Sequence, residues 1–182
     1  FNTKCAIGFY TQDPDTDIYY RWAEIYATRT HPDELSRMIK EKLGRNFIQL
    51  AGQFSDKRIM VRDEETEVST KEKFAFNGIY FQIAKDDRVP GWHRVKELLM
   101  PKPGGCVGFK VFNTCAEFIR VMPEMVYDSN NAEDMEHKNS ECHIPDEFRY
   151  FAVMRKIASS SFSDAEVITN FNPVTGYISG GR

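Results

Sequence analysis

Hydrophobic and polar positions along this chain follow two periods. Lys4 to Tyr10 is apolar and aromatic, and Ile18 to Ala27 is again rich in Tyr, Ile and Trp. Between them lies a turn cluster, Thr11 to Asp17, with Pro14 and three short carboxylates, Asp13, Asp15 and Asp17. Two such runs around a polar turn predict a β-hairpin. Thr30-His31-Pro32-Asp33-Glu34 starts a helix; Leu35, Met38, Ile39 and Leu43 follow at helical spacing, and Gly44 stops it. Phe47, Ile48, Leu50 and Phe54 predict a buried strand ending at Asp56. Residues 57–69 are charged and read as a loop or partly helical excursion. Ser69 or Thr70 caps a short helix through Phe76, closed by Asn77-Gly78, and Ile79 to Ala84 reads as a strand. Pro90 to Leu99 predicts a helix, 101–105 a loop, Val107 to Phe112 a strand, and Asn113 or Thr114 the start of another helix. Residues 128–142 are polar and aperiodic, so a long loop is expected. Pro145 to Ile157 is the last strong helix, striped with Phe148, Phe151, Ala152 and Met154.

Hairpin strands followed by strands alternating with helices predict an α/β fold, a mixed sheet flanked by helices. At 182 residues the chain is one domain, expected over 1–158, with a Ser-, Asn- and Gly-rich tail over 159–182 that is loosely held. A hydrophobic content of 41% against 28% charged residues excludes general disorder. No stretch approaches the roughly 18 apolar residues of a membrane span. The formal net charge of -3 excludes a basic nucleic-acid coat, so any DNA contact must be local or held by something else. Cys5, Cys106, Cys115 and Cys142 form no C-x-x-C pair, which argues against zinc and for reduced thiols. The chain opens on Phe1 and reads as part of a longer protein.

Three features carry candidate chemistry. Asp56 follows a strand directly, where open α/β sheets place ligand-binding side chains, though a turn-forming Asp has the same signature. His143 and Asp146 sit three apart at a helix start, so imidazole and carboxylate share nearly one face. Asp146 could equally serve only the helix dipole. Arg149, Tyr150 and Arg155 follow on that helix, where a solvated face accounts for the arginines. The run 101–105 lacks a phosphate-loop pattern and reads as a turn. His31 and His93 read as structural or exposed, and His137 lies in the polar loop without a partner at metal-ligand spacing.

Five stretches, in order, resemble the nuclease domain of phage large terminase subunits. Asp56-Lys57-Arg58-Ile59 resembles the family's strand-end Asp-Pro-Ala-Ile, with Pro and Ala replaced. Phe74 to Ile79 is similar to its helix-Gly-strand junction. Asp86-Asp87-Arg88-Val89-Pro90-Gly91-Trp92 is similar to its Asn-Asp-Arg-x-x-Gly-Trp helix start. The stretch from Phe112 to Pro123 is similar to its Cys-x-x-x-Ile-x-x-x-Pro segment. Glu141 to Tyr150 is similar to its Asp-His-x-x-Asp-x-x-Arg-Tyr signature. The opening hairpin and the Glu24-bearing strand fit more loosely.

The resemblance implies a ribonuclease H-like fold and a metal-dependent endonuclease that cuts concatemeric double-stranded viral DNA. It implies that Asp56 and Asp146 bind metal, with His143 beside them as a metal-site neighbour or proton carrier. Two divalent ions, Mg²⁺ or Mn²⁺, suit such oxygen ligands. An acid-lined crevice would repel DNA until they arrive. Implied partners are a terminase ATPase domain, the portal protein and the small terminase subunit, with no membrane, in the cytoplasm of an infected bacterial host. Two departures stand out. The family's first catalytic carboxylate would fall upstream of Phe1, and Cys142 stands where the family often has Asp. Two rivals therefore remain: another ribonuclease H-like nuclease such as a Holliday-junction resolvase, and a catalytically incomplete module that only binds DNA or the portal.

Overall fold

The computed structural model describes residues 4–101, 104–136 and 142–164. Among the described residues are seven strands: β1 (Lys4–Gln12), β2 (Tyr19–Thr28), β3 (Phe54–Ser55), β4 (Gln82–Ile83), β5 (Phe109–Val111), β6 (Tyr127–Asp128) and β7 (Asn131–Met135). Five α-helices accompany them: α1 (Pro32–Leu43), α2 (Thr70–Phe76), α3 (Arg88–Leu99), α4 (Ala116–Val121) and α5 (His143–Asp164).

The predicted hairpin forms. β1 pairs antiparallel with β2, Lys4 opposite Thr28 and Phe9 opposite Ala23, with a bulge at Phe9/Tyr10. Asp13 folds the connecting turn by accepting from the Asp15 backbone N–H at 3.0 Å and the Thr16 hydroxyl at 2.7 Å. β5 adds parallel to β2, giving a mixed sheet in the order β1-β2-β5. β3 and β4 pair parallel with each other.

The run Lys4–Tyr10 is apolar on both sides because both faces are covered. Phe9, Ala23 and Ile25 pack with Leu35, Ile39 and Leu43 of α1 and Phe74 of α2. On the other face Ala6 and Tyr10 meet the larger core, built from Trp92, Val95 and Leu98 of α3, Phe118 and Val121 of α4, and Ile144, Phe148 and Ala152 of α5. The sequence reason for α1 is visible at its start. The His31 ring accepts from the Asp33 N–H, and Pro32 sits in the first turn. α2 opens on a capping box: Ser69 Oγ accepts from the Glu72 N–H at 3.2 Å, and Glu72 Oε2 accepts from the Ser69 N–H at 2.7 Å.

One buried ionic group ties the sheet to two helices. Arg21 on β2 is fully buried, 2.5 Å from Glu147 of α5 and 3.2 Å from Glu24. Glu24 in turn accepts the Glu117 and Phe118 backbone N–H groups at 2.8 and 3.2 Å. A strand carboxylate thus satisfies two of the free donors at the start of α4, where no side-chain cap is present.

Three expectations are corrected. The apolar run from Phe47 does not begin a strand: Gly44–Gln49 is a 3₁₀ helix, and β3 is only two residues long. A short apolar run looks the same in either state, and neighbouring packing decides. Within 128–142, β6 and β7 form an antiparallel hairpin instead of a loop. Asn131, Ala132 and Glu133 are exposed, so no alternation marks that strand in sequence. Finally, α5 continues to Asp164, past the Ile157 end that the sequence predicts. Residues 165–182, and His137, lie outside the described residues. All four cysteines are free thiols, and among the described residues no helix is long and apolar enough to cross a membrane.

Candidate active site

The fold brings three carboxylates onto one cluster. Asp56 lies immediately after β3, Asp86 three residues after Ile83 of the neighbouring β4, and Asp146 in the first turn of α5. β3 and β4 run parallel, so their ends open on the same side. The turn-forming reading of Asp56 is realised on one oxygen, and the other oxygen makes a long-range contact. Oδ1 accepts from the Arg58 N–H at 2.6 Å and caps the 3₁₀ turn Lys57–Met60, while Oδ2 accepts from the Tyr150 hydroxyl.

Two side chains one helical turn beyond Asp146 link the acids. Tyr150 also donates to Asp86 Oδ1 at 3.2 Å. Arg149 Nη2 lies 3.1 Å from the same Asp86 oxygen and 3.2 Å from Asp146 Oδ1. Burial, and then the hydrogen bond to Asp56, push the Tyr150 hydroxyl far above its ordinary range. It therefore stays protonated and remains a donor at any physiological pH. Burial pushes the Asp86 carboxyl upward, but hydrogen bonds from Lys57 and Arg149 outweigh it and hold the group below the usual carboxylate range. Lys57 Nζ is 3.0 Å from Asp86 Oδ2. At the far edge Arg88 of α3 makes a two-pronged bond to Asp134 of β7, 3.0 Å on each arm, and lies 3.6 Å from Asp146.

These contacts alter the electrostatic expectation. The crevice does carry acids, but Lys57, Arg88 and Arg149 already counter them. Arg149 is 1% exposed, so the solvated-face reading of this residue is wrong. Its spacing of three from Asp146, a favourable ion-pair separation on a helix, was the available signal. Asp86 had none beyond its place after a strand, because its partners lie far away in sequence. His143 is the first residue of α5 and half-buried, in the same turn as Asp146. Glu24 stands apart from this cluster, in the Arg21 group.

Gly91 of α3 has a specific reason. A Cβ there would sit 2.7 Å from Cγ and 2.9 Å from Cδ of Arg149. The glycine leaves the channel through which Arg149 reaches Asp86 and Asp146. Ala normally stabilises a helix interior over Gly by about 1 kcal/mol. Overpacking costs about 1–3 kcal/mol. Gly91→Ala is therefore expected to lower the melting temperature, against its helix propensity; a rise in thermal denaturation would show that Arg149 does not occupy this channel.

No protein-family model matches the sequence, and no match was found among curated proteins. Solved structures do match. The nuclease domain of the phage P22 large terminase superposes with a TM-score of 0.61 at 19% identity, covering 86% of this chain and 77% of that one. The phage SPP1 large terminase nuclease domain, with bound Mn, gives 0.60 at 13% identity, covering 86% and 81%. The fold is shared with phage large-terminase nuclease domains. The large terminase of a thermophilic bacteriophage gives 0.62 at 16% identity, and there the chain spans 37% of the longer protein. The terminase nuclease fold accounts for the mixed sheet and for the helices on both its faces.

The oxygen donors of Asp56 and Asp146 suit one class of ion. Among the described residues no three His, Cys, Asp or Glu side chains gather closely enough to hold a metal alone. A closed zinc-type site needs four protein ligands. Mg²⁺ commonly takes one or two carboxylates and keeps several waters. Asp56 and Asp146 fit that second, water-rich pattern.

Proposed function

We propose that this chain is the nuclease domain of a viral DNA-packaging terminase, hydrolysing phosphodiester bonds of concatemeric double-stranded DNA with Mg²⁺ or Mn²⁺. The observation that carries the reading is the joining of Asp56 and Asp146 through Tyr150, Asp86 and Arg149 at the ends of parallel strands, within a fold shared with terminase nuclease domains. Asp56 and Asp146 would hold the metal. Divalent ions bound there supply an activated water and offset charge on the leaving oxygen. Tyr150, always protonated, fixes the orientation of the Asp56 carboxylate. Arg149 does the same for Asp146. His143, at the head of α5, would serve as a metal-site neighbour or proton carrier. In the full protein an ATPase domain, the portal and the small terminase subunit would hold DNA near this site, in the cytoplasm of the infected host.

Two candidate metal carboxylates, Asp56 and Asp146, where the resemblance implies a further one, favour one second reading: a module that binds DNA without cutting it. Plasmid cleavage separates the two. With a chain extended upstream of Phe1, Mn²⁺ is expected to convert supercoiled plasmid to nicked and linear forms, and chelation to stop it. An extended chain that binds plasmid but leaves it intact in Mn²⁺ would establish the binding module instead.

A further inference from the structure

The turn after Asp56 differs from the segment it resembles at two positions. Lys57 and Arg58 stand where that pattern has Pro and Ala, and Asp86 stands where it has Asn. The structure makes Lys57 and Asp86 partners, 3.0 Å apart across the ends of β3 and β4. Lys57 is 67% exposed and Arg58 is exposed, so both reach solvent at the mouth of the cluster. The backbone of this turn is fixed. Asp56 caps it, and the Val61 N–H donates to the Arg58 carbonyl at 3.1 Å.

We propose that Lys57 and Arg58 form a phosphate-gripping arm of the site, with Lys57 stored on Asp86 until a DNA phosphate takes it. The inference rests on the nuclease reading above. A chain of net charge -3 has no global attraction for DNA, so any grip of its own must come from local cations. An exposed ion pair contributes little and is readily exchanged. A phosphate contact, by contrast, gains from counterion release. The carboxylate that caps the arm is the one proposed to hold metal, so a phosphate held by the arm lies beside the reacting centre.

The test is the salt dependence of duplex binding. A fluorescent duplex of about 20 base pairs is titrated by anisotropy in Ca²⁺ across a salt series. Lys57→Ala/Arg58→Ala is expected to weaken binding about tenfold and to flatten the log–log salt slope by about 2, roughly 0.9 per contact. Lys40→Ala/Lys42→Ala on α1 should leave both unchanged. Equal slopes for the arm variant and wild type overturn the arm. Asp86→Asn is expected to tighten binding a few-fold when Lys57 is present but not when it is Ala; equal tightening in both backgrounds overturns the exchange. A wild-type protein that cuts plasmid in Mn²⁺ but binds no duplex even at low salt overturns the arm alone, and one that does neither overturns the nuclease reading with it.

Discussion

Asp56→Asn and Asp146→Asn are each expected to slow Mn²⁺-dependent plasmid cleavage by more than about a hundredfold. Losing a partner behind a metal ligand typically costs about 10–100-fold, and these residues are proposed as the ligands themselves. The choice of Asn matters. Asp146→Ala would remove an acceptor from Arg149, which is 1% exposed. Arg149 would keep Asp86, but a buried charge that loses one of its two carboxylates destabilises the fold, so lost activity would be confused with lost structure. Asn keeps an oxygen for Arg149 and for the Arg58 N–H while removing the charge that attracts a divalent cation. The measurement is the initial nicking rate of the upstream-extended chain, paired with a melting curve for each variant. Asp15→Asn, at the exposed hairpin tip, should cut at the wild-type rate. A near-normal rate in either site variant removes that residue from the site.

The largest effect on stability is expected at Phe148. Its ring is fully buried, with Phe109 at 4.8 Å, Phe118 at 5.0 Å and Phe151 at 6.1 Å between centroids. The ring thus joins the β5 side of the sheet to α4 and α5. Truncation loses both the transfer energy of the ring and the contacts around the void. Phe148→Ala is expected to cost about 3–5 kcal/mol. For a domain of this size each kcal/mol shifts the melting temperature by roughly 2–4 °C, so a fall of about 10 °C follows. Urea denaturation should show a lower midpoint with an unchanged slope. A loss below about 1.5 kcal/mol, the range of a well-tolerated apolar swap, would place Phe148 outside the core.

Sequence carried much of this fold because its elements bury regular faces. The β1-β2 hairpin, α1 and α3 declared themselves by apolar runs or by helical spacing with caps. Asp56 was legible as a strand-end carboxylate, and His143 and Asp146 as neighbours on one turn. What stayed hidden was long-range. Arg149 looked like a surface arginine until Gly91, on another helix, supplied the space that buries it. Asp86 gains meaning only once β3 and β4 align and Lys57 comes within 3.0 Å. β7 is stabilised by pairing and by the Arg88–Asp134 contact, and its exposed polar residues give no period to read.

The five residues from Asp146 to Tyr150 serve five different destinations. Asp146 meets Arg149 and Arg88, Glu147 holds Arg21, Phe148 fills the core, Arg149 reaches Asp86, and Tyr150 reaches Asp56. A single turn of α5 therefore has almost no neutral positions. Substitutions there will change activity and solubility together, which leaves that turn little room to drift. Variation is expected to collect elsewhere, on exposed stretches such as the hairpin tip and 63–67.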